Sequence, residues 1–411
     1  MDAMNGSIDV AAIETARLRL RDAIVETPCA YSQTLSELTQ ARCFVKLENL
    51  QMTGSFKERG AANLLLQLGP DARHRGVIAA SAGNHGLAVA FHAQRLGMPA
   101  TIVMPEYAPL IKVTSARRYG AEVILHGGNY DAAYERACAL AAERGRLFVH
   151  PFDDARVIAG QGTLGLELLE QLPDVDAVIV PVGGGGLIGG VALAVKAKRP
   201  DVLVIGVQSA ALPAMSRSLE RGERLRVDAA ATIADGIAVR QVGELTLELA
   251  RRWVDRVVTV DEEELANAVL LLLEIEKTVV EGAGAAPLAA LVNRRLDLEG
   301  RRVALVLSGG NIDVTMLARI IERGLVKDAR LVRFGVLLRD VPGALAQLTA
   351  LIAEERANIL HILHDRAFSP HAAIGQTEVE LTLETSGPEQ IAAVKRRLEA
   401  SGYRVEERSV S

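Results

Sequence analysis

Short apolar runs alternate with alanine- and leucine-rich stretches from about Ile13 to Gly324, and this alternation constrains the fold more than any other feature. Uninterrupted apolar strands separated by helices are typical of parallel sheets that are covered on both faces. The sequence therefore predicts an α/β body. Its clearest predicted strands are Val77–Ala80, Ala100–Met104, Glu122–Leu125, Val178–Val180, Val202–Val207 and Val303–Leu307.

The pattern changes after residues 326–330. The rest of the chain predicts the order βαββαβ, which is the ferredoxin-like arrangement. Because 411 residues exceed what one hydrophobic core usually serves, we predict a body of residues 1–326, with a smaller lobe near 52–148, and a second domain of residues 331–411. The elements predicted for that domain are strand Leu331–Leu338, helix Gly343–Glu354, strands Ile359–His364 and Gln376–Leu383, helix Pro388–Ala400 and strand Tyr403–Glu407.

Charge and composition exclude several classes of protein. The 46 Lys and Arg residues against 51 Asp and Glu residues leave a net charge of −5, without the basic excess that nucleic-acid binding needs. Met1–Val10 lacks the basic and apolar regions of a secretory signal, and Cys29, Cys43 and Cys138 form no redox or zinc motif. We therefore predict a cytoplasmic protein that binds neither nucleic acid nor a membrane.

Lys57 is the first candidate for chemistry, in the segment Thr53-Gly-Ser-Phe-Lys-Glu-Arg-Gly60. Ser55 and Glu58 have the spacing of a capping box, which places Lys57 in the first turn of a helix. The positive end of the helix dipole lowers the pKa of an ammonium group there. A lysine that is easily neutralised is a candidate nucleophile for an aldehyde. A lone lysine is more often a solvated surface residue, so the assignment depends on the other motifs.

Two further motifs follow predicted strands and are candidates for binding anions. They are Ser81-Ala-Gly-Asn-His-Gly86 and Pro181-Val-Gly-Gly-Gly-Gly-Leu-Ile-Gly-Gly190. Turns from a strand into a helix expose free backbone N–H groups, which suit a carboxylate or a phosphate. Four consecutive glycines at 183–186 also argue against a membrane span over Ala177–Val195, because lipid leaves the N–H groups of such a loop unpaired.

The glycine spacing allows a second interpretation. Gly184, Gly186 and Gly189 match the dinucleotide-binding pattern G-x-G-x-x-G. Such a site needs an acidic residue about 20 positions further on, whereas strand Val202–Val207 is followed by Gln208. We therefore favour a turn that wraps a single phosphate group.

A fourth motif, Ser308-Gly-Gly-Asn311, follows the last predicted strand of the body and alone would predict only a turn. Together with the three motifs above and Glu281-Gly-Ala-Gly284, it makes the chain resemble the serine/threonine dehydratase family of pyridoxal-phosphate enzymes. The resemblance covers about Glu14 to Gly324. It implies a two-lobed body of fold type II and pyridoxal 5'-phosphate as cofactor.

The resemblance also implies roles for individual residues. Lys57 binds the cofactor's aldehyde and acts as base at the substrate's α carbon, Phe56 lies beside the cofactor ring, and Ser308 faces the pyridine nitrogen. A hydroxyl there, rather than a carboxylate, leaves that nitrogen uncharged and favours loss of a β-hydroxyl group. Asn84 bonds the phenolic oxygen of the ring. The phosphate is held by Gly183, Gly184, Gly185, Gly186 and Leu187, and the substrate carboxylate by Ser81, Asn84 and His85.

The implied reaction is elimination from a β-hydroxy amino acid: L-threonine gives 2-oxobutanoate and ammonia, and L-serine gives pyruvate. Related serine racemases carry a second serine where this chain has Ala82, and bind a divalent ion at positions that here are Gln208 and Ala214, so we expect neither racemisation nor a metal. Three alternatives stay open: a dehydratase for another substrate such as hydroxyaspartate, a serine racemase-like enzyme, and an amino-acid sensor without activity. Lys57 and Ser308 argue against the sensor.

Residues 331–411 resemble an ACT domain, a regulatory module of amino-acid enzymes, on the segments Arg339-Asp-Val-Pro-Gly-Ala-Leu345 and Asn358-Ile-Leu360. The resemblance implies an amino-acid effector, such as isoleucine or valine, bound near Gly343. Pairing of two such domains would cover a sheet edge, so we expect a homodimer or homotetramer. His361, His364 and His371 do not predict a metal site, because residues three apart on a strand point to opposite faces.

Overall fold

Three sheets organise the computed structural model, which describes residues 8–365 and 373–408. The chain divides into two units, Met1–Ile312 and Asp313–Ser411. His371 lies outside the described residues. Among those that are described, no helix has both the length and the apolar character needed to cross a membrane.

The described part of the first unit contains ten strands in two sheets. The larger sheet has the order β1-β2-β10-β7-β8-β9 and is parallel except for the edge pair β1 and β2, and the smaller sheet has the parallel order β5-β4-β3-β6. The parallel body that the apolar strands predicted is thereby confirmed. The strands are β1 Cys29–Tyr31, β2 Arg42–Lys46, β3 Val77–Ala80, β4 Ala100–Met104, β5 Glu122–Leu125, β6 Leu147–Phe148, β7 Ala177–Pro181, β8 Leu203–Ser209, β9 Arg256–Val260 and β10 Arg302–Val306.

Helices separate these strands, and a residue with a short polar side chain precedes several of the helices. Asp9, Asn129 and Asp154 each accept a hydrogen bond from a backbone N–H of the helix they precede, as helix caps do. The helices are α1 Val10–Leu20, α2 Gln33–Thr39, α3 Lys57–Leu66, α4 Pro70–Arg75, α5 Asn84–Arg95, α6 Leu110–Arg118, α7 Tyr130–Arg144, α8 Ala155–Gln171, α9 Gly186–Lys198, α10 Ala214–Arg221, α11 Glu244–Trp253, α12 Glu262–Ile275 and α13 Gly282–Val292.

Each sheet of the first unit has its own core. Apolar residues of β7 and β8 pack with helix α9 in the larger lobe, and those of β3 and β4 pack with α3 and α5 in the smaller one. Burial of both faces explains why the strands are continuously apolar rather than alternating. The stretch Ala177–Val195 forms strand β7, a turn and helix α9, as predicted, and not one long helix.

The second unit begins with a helix and continues as an antiparallel sheet of order β12-β13-β11-β14 with two helices. Its chain order from β11 onward is βαββαβ, which confirms the ferredoxin-like prediction. Phe334, Leu348, Leu381 and Leu398 are among its fully buried core residues. The elements are α14 Val314–Lys327, β11 Leu331–Arg339, α15 Ala344–Glu354, β12 Asn358–Asp365, β13 Gln376–Glu384, α16 Pro388–Ala400 and β14 Arg404–Glu407.

Candidate active site

Strand order brings three of the four sequence motifs together in the first unit. Strand β10 lies between β2 and β7 and runs parallel to both, so Ser308, after β10, is next to the glycines that follow β7. Phe56 N–H donates to Ser308 O at 3.0 Å, and Ser55 bridges to Gly309, which attaches the start of helix α3 to the same sheet edge. The carboxyl ends of parallel strands are where α/β proteins bind ligands.

Lys57 is the first residue of α3, and its amine is held inside the protein. Nζ donates to Pro151 O at 2.9 Å and lies 5.1 Å from the centroid of the Phe56 ring. Burial lowers the pKa of Lys57 to about 8, against the opposing effect of the Glu281 carboxylate. About a tenth of the amine is therefore neutral at pH 7, far more than for an ordinary lysine, and the neutral form is the one that acts as a nucleophile or base.

The capping box predicted at this helix is wrong. The Glu58 carboxylate accepts a hydrogen bond from Thr53 N–H, not from the backbone of Ser55, and the buried Ser55 hydroxyl has no hydrogen-bond partner among the described residues. Phe56, in helical conformation, is the residue that precedes the helix. The low pKa of Lys57 was predicted in the right direction, but its main cause is burial rather than the helix dipole.

The glycine turn, Gly183–Leu187, connects β7 to α9. No described residue accepts a hydrogen bond from any of its five backbone N–H groups, although four of its residues are buried. A Cβ atom on Gly184 would lie 2.3 Å from the Phe152 ring, and Gly185 has a φ of +97°. Glycines are needed here for close packing and for the turn itself, and the result is a cup of unpaired donors for an anion.

The asparagine turn, Ser81–His85, connects β3 to α5 in the smaller lobe. Ser81 Oγ accepts from Gly83 N–H at 3.1 Å, and the N–H groups of Asn84 and His85 have no acceptor within the described residues. His85 Nε2 is 2.9 Å from Val149 O, and burial lowers the pKa of His85 to about 3. The imidazole is thus neutral, so the turn offers backbone donors to a carboxylate but no histidine charge.

Glu281 and Asn311 complete the site, and sequence reasoning assigned neither a role. Asn84 Nδ2 donates to Glu281 Oε1 at 2.7 Å, and Asn311 Nδ2 donates to Asn84 Oδ1 at 2.8 Å. Burial, followed by the nearby Asp235 carboxylate, raises the pKa of Glu281 to about 7. Both residues stand inside motifs that the sequence shows, so their motif membership was the available signal.

Lys112 and Asp235 form an ion pair between helix α6 and a short turn next to Glu281, with Nζ and Oδ2 2.6 Å apart. The Lys112 amine would be 4.0 Å from a Cβ on Gly83, so this cation lies beside the asparagine turn. Gln208, one of the two positions considered for a metal, accepts from Ser216 N–H through its side chain at 2.9 Å.

Comparison with known proteins gives the class of this site. A model of the pyridoxal-phosphate dependent enzyme family matches residues 20–309, about 71% of the chain. The chain belongs to that family, and pyridoxal phosphate is its cofactor. The fold-type II body predicted from the motifs is likewise confirmed, since the chain aligns with threonine deaminase structures.

Individual relatives are more specific. The chain is 51% identical over 398 residues to L-threonine ammonia-lyase of Thermotoga maritima, which covers 97% of this chain and 99% of that protein. It superposes on the threonine deaminase of T.th. with a TM-score of 0.70 and 44% identity over 74% of this chain and 99% of that one. For processed threonine deaminase isoform 2 of Solanum lycopersicum, the TM-score is 0.73 and the identity 35%, over 76% and 87% of the two chains.

The residues present fit the cofactor. Five unpaired N–H groups in the glycine turn match a phosphate, and the amine of Lys57 has a pKa close to neutral, as attack on an aldehyde needs. Ser308 is only 2% exposed, and its hydroxyl makes no hydrogen bond with any residue that the structure describes. A ring nitrogen is a partner that would satisfy that hydroxyl.

Proposed function

We propose that the protein is a threonine ammonia-lyase that converts L-threonine to 2-oxobutanoate and ammonia, and L-serine to pyruvate. The observation that carries the proposal is the position of Lys57, whose partly neutral amine lies in the same site as the unpaired N–H groups of the glycine turn and the asparagine turn. The identity of 51% with the Thermotoga maritima enzyme over nearly the full chain supports it.

The protein's own residues would bind and orient the substrate. The free N–H groups of Asn84 and His85 lie at the start of α5, where the positive end of the helix dipole favours a carboxylate. Lys57 is the group that takes the proton from the α carbon, because a base with a pKa of about 8 is neutral often enough to accept it near neutral pH.

When bound, pyridoxal phosphate supplies an electron-withdrawing ring that acidifies the α carbon of an attached amino acid. In this proposal the glycine turn holds its phosphate, Phe56 lies beside its ring, Asn84 bonds its phenolic oxygen and Ser308 faces its ring nitrogen. Ser308 is a hydroxyl, which keeps the nitrogen uncharged and favours departure of the β-hydroxyl group, and Ala82 offers no second base for racemisation. In the net reaction threonine loses one water, takes one up on hydrolysis and releases ammonia, so the atoms balance.

The test is formation of 2-oxo acid from L-threonine, L-serine and 3-hydroxyaspartate by the purified protein and by Lys57→Ala and Lys57→Arg. We expect threonine to react best, little D-serine from L-serine, and no loss of activity with a chelator. Both Lys57 variants should lose several orders of magnitude in turnover and the visible absorbance of bound cofactor, because arginine keeps the charge but cannot be the nucleophile. Preference for hydroxyaspartate would refute the threonine assignment, and near-normal Lys57→Ala activity would refute the site.

We also propose that residues 331–411 act as an ACT domain that binds an aliphatic amino acid and alters threonine binding in a homo-oligomer. Gly343 has a φ of +89° and precedes α15, so the backbone turns sharply at a helix N-terminus with no side chain in the way. The solved chain of the T.th. threonine deaminase is matched by 74% of this chain, which supports a body that folds without the tail.

Deleting residues 331–411 tests this regulatory proposal. The truncated enzyme should keep Lys57-dependent activity and lose any change in threonine saturation caused by isoleucine or valine. A typical coupling corresponds to about 5- to 150-fold in affinity. Threonine binding must weaken or strengthen effector binding by the same factor, because coupling is reciprocal. An effector that acts equally on both forms would place the regulatory site elsewhere.

A further inference from the structure

Helix α11 is preceded by a glycine, and the cap of its first turn comes from a distant part of the chain. Gly243 precedes the helix and has no side chain to accept from the free N–H groups that every helix start leaves. Asp153 accepts them instead, from Glu244 N–H at 2.9 Å and from Thr246 N–H at 3.2 Å. A Cβ on Gly243 would lie 2.1 Å from Asp153 Oδ1, so glycine is required for this arrangement.

The capped turn touches the glycine turn at the Gly184 carbonyl, which accepts from the Thr246 hydroxyl and, at 3.4 Å, from Gly243 N–H. Thr246 is fully buried, and its Oγ1 accepts from Gly243 N–H at 3.0 Å. The same oxygen donates to Gly184 O at 2.7 Å. Because both its donor and acceptor capacities are used, the hydroxyl has one orientation.

This contact sets the direction of a backbone donor. In a planar trans peptide the C=O of one residue and the N–H of the next point in opposite directions. With Gly184 O directed at Thr246, the Gly185 N–H is directed away from it, and no described residue accepts from that N–H. Gly185 itself has a φ of +97°, a conformation that glycine adopts without steric cost.

Asp153 is also tied to Lys57 by three residues of the same segment. His150 Nδ1 accepts from Asp153 N–H at 2.8 Å, Pro151 O accepts from Lys57 Nζ at 2.9 Å, and the Phe152 ring fills the space beneath Gly184. Burial lowers the pKa of His150 to about 4, so its ring is neutral and Nδ1 is free to accept. One short segment therefore contacts both the lysine and the glycine turn.

We propose that Asp153 and Thr246 are positioning residues that aim the Gly185 N–H at the cofactor phosphate and fix its distance from Lys57. The inference rests on the proposed binding of the phosphate in the glycine turn. Neither residue touches the reacting atoms, so the effect is on how tightly and in what environment the phosphate is held. Loss of one oriented hydrogen bond to a charged group corresponds to roughly a tenfold loss of affinity.

The test compares Thr246→Val, which removes the hydroxyl at constant shape, with Thr246→Ser, which keeps it. Asp153→Ala is compared with Asp261→Ala, which removes the side-chain cap of a different helix, α12, from Glu264 N–H. For each holoenzyme we would measure the dissociation constant of pyridoxal phosphate and the ³¹P resonance of the bound phosphate. Emission of Trp253, the single tryptophan and the last residue of α11, reports whether that helix stays folded.

We expect Thr246→Val and Asp153→Ala to raise the cofactor dissociation constant about tenfold and to move the ³¹P resonance, while Thr246→Ser and Asp261→Ala leave both close to the parent. If the first two variants lower only the melting temperature, the residues are structural and the positioning proposal fails. Gly184→Ala distinguishes failure of the positioning proposal from failure of the proposed phosphate site. If the ³¹P resonance does not move in this variant either, the phosphate does not lie in the glycine turn.

Discussion

The glycine turn and the asparagine turn are both connections from a parallel strand to a helix with unpaired N–H groups, but they are held in different ways. Packing against Phe152 and hydrogen bonds from the start of α11 to Gly184 O hold the glycine turn, where Cβ atoms on Gly184 and Gly186 would lie 2.3 Å and 2.8 Å from atoms of Phe152. Side-chain hydrogen bonds fix the asparagine turn, through Asn84 to Glu281 and Asn311. The contacts of Phe152 and Thr246 with the glycine turn do not depend on pH. The hydrogen bonds of the asparagine turn include the Glu281 carboxyl group, which titrates.

The largest effect is expected from replacing Gly184, because a side chain there would disrupt the packing of the glycine turn against Phe152. Overpacking a close contact typically costs about 1 to 3 kcal/mol, which corresponds to about 5- to 150-fold in the dissociation constant of pyridoxal phosphate. Gly184→Ala should weaken cofactor binding by that range in a titration followed by visible absorbance. Gly189→Ala is the matched control, because its Cβ would lie 3.2 Å from a flexible Leu249 side chain. Equal affinities in the two variants would contradict rigid packing at the glycine turn.

The difference between the turns also shows what the sequence could and could not predict. The strands before both turns were predictable from continuous apolar runs, and the glycine run itself shows that backbone must approach something closely. The contacts that hold the glycine turn were not predictable, because Phe152 and Thr246 meet Gly184, and Asp153 meets Thr246, only after folding. No local rule pairs them.

The capping box illustrates the same limit at shorter range. Ser55 and Glu58 have the right spacing, yet Glu58 bonds Thr53 N–H, and Ser55 bridges to Gly309 of the neighbouring connection. Tertiary contacts with the sheet edge override a local preference of about 1 kcal/mol. In the second unit the βαββαβ order was predictable from the alternation of apolar strand and helix patterns.

A medium effect is expected at Glu281, and it depends on pH. Burial and the Asp235 charge raise its pKa in the folded protein to about 7 from 4.5. The folded state therefore binds more protons between those values. The protonated Glu281 carboxyl group makes its full contribution to the stability of the folded protein below about pH 4.5. That contribution is lost as the pH rises through about 7.

Replacing the carboxyl with an amide removes that loss. Glu281→Gln should match the parent near about pH 5 and be more stable, by up to about 3 kcal/mol, near about pH 8. The neighbouring Lys57 ammonium reduces the gain, since it favours the ionised carboxylate. Melting temperatures of the two cofactor-free proteins across this pH range give the answer. A constant difference at every pH would show that Glu281 does not titrate within it.

The smallest effect is expected at Lys112. Replacing it tests whether substrate binding at the asparagine turn also depends on the charge of a neighbouring side chain. The pair with Asp235 is partly exposed, with side-chain exposures of 16% and 54%, so each charge contributes about 0.2 to 1 kcal/mol. Lys112→Met should therefore raise KM for L-threonine by about 1.4- to 5-fold and leave kcat nearly unchanged.

Asp235→Asn should change KM in the opposite direction, because it frees the Lys112 cation to attract the substrate carboxylate. Both changes should shrink at high salt, since screening weakens exposed charges. Saturation curves at low and high ionic strength measure this, and equal KM values for the two variants at low salt would show that the pair only joins the two segments.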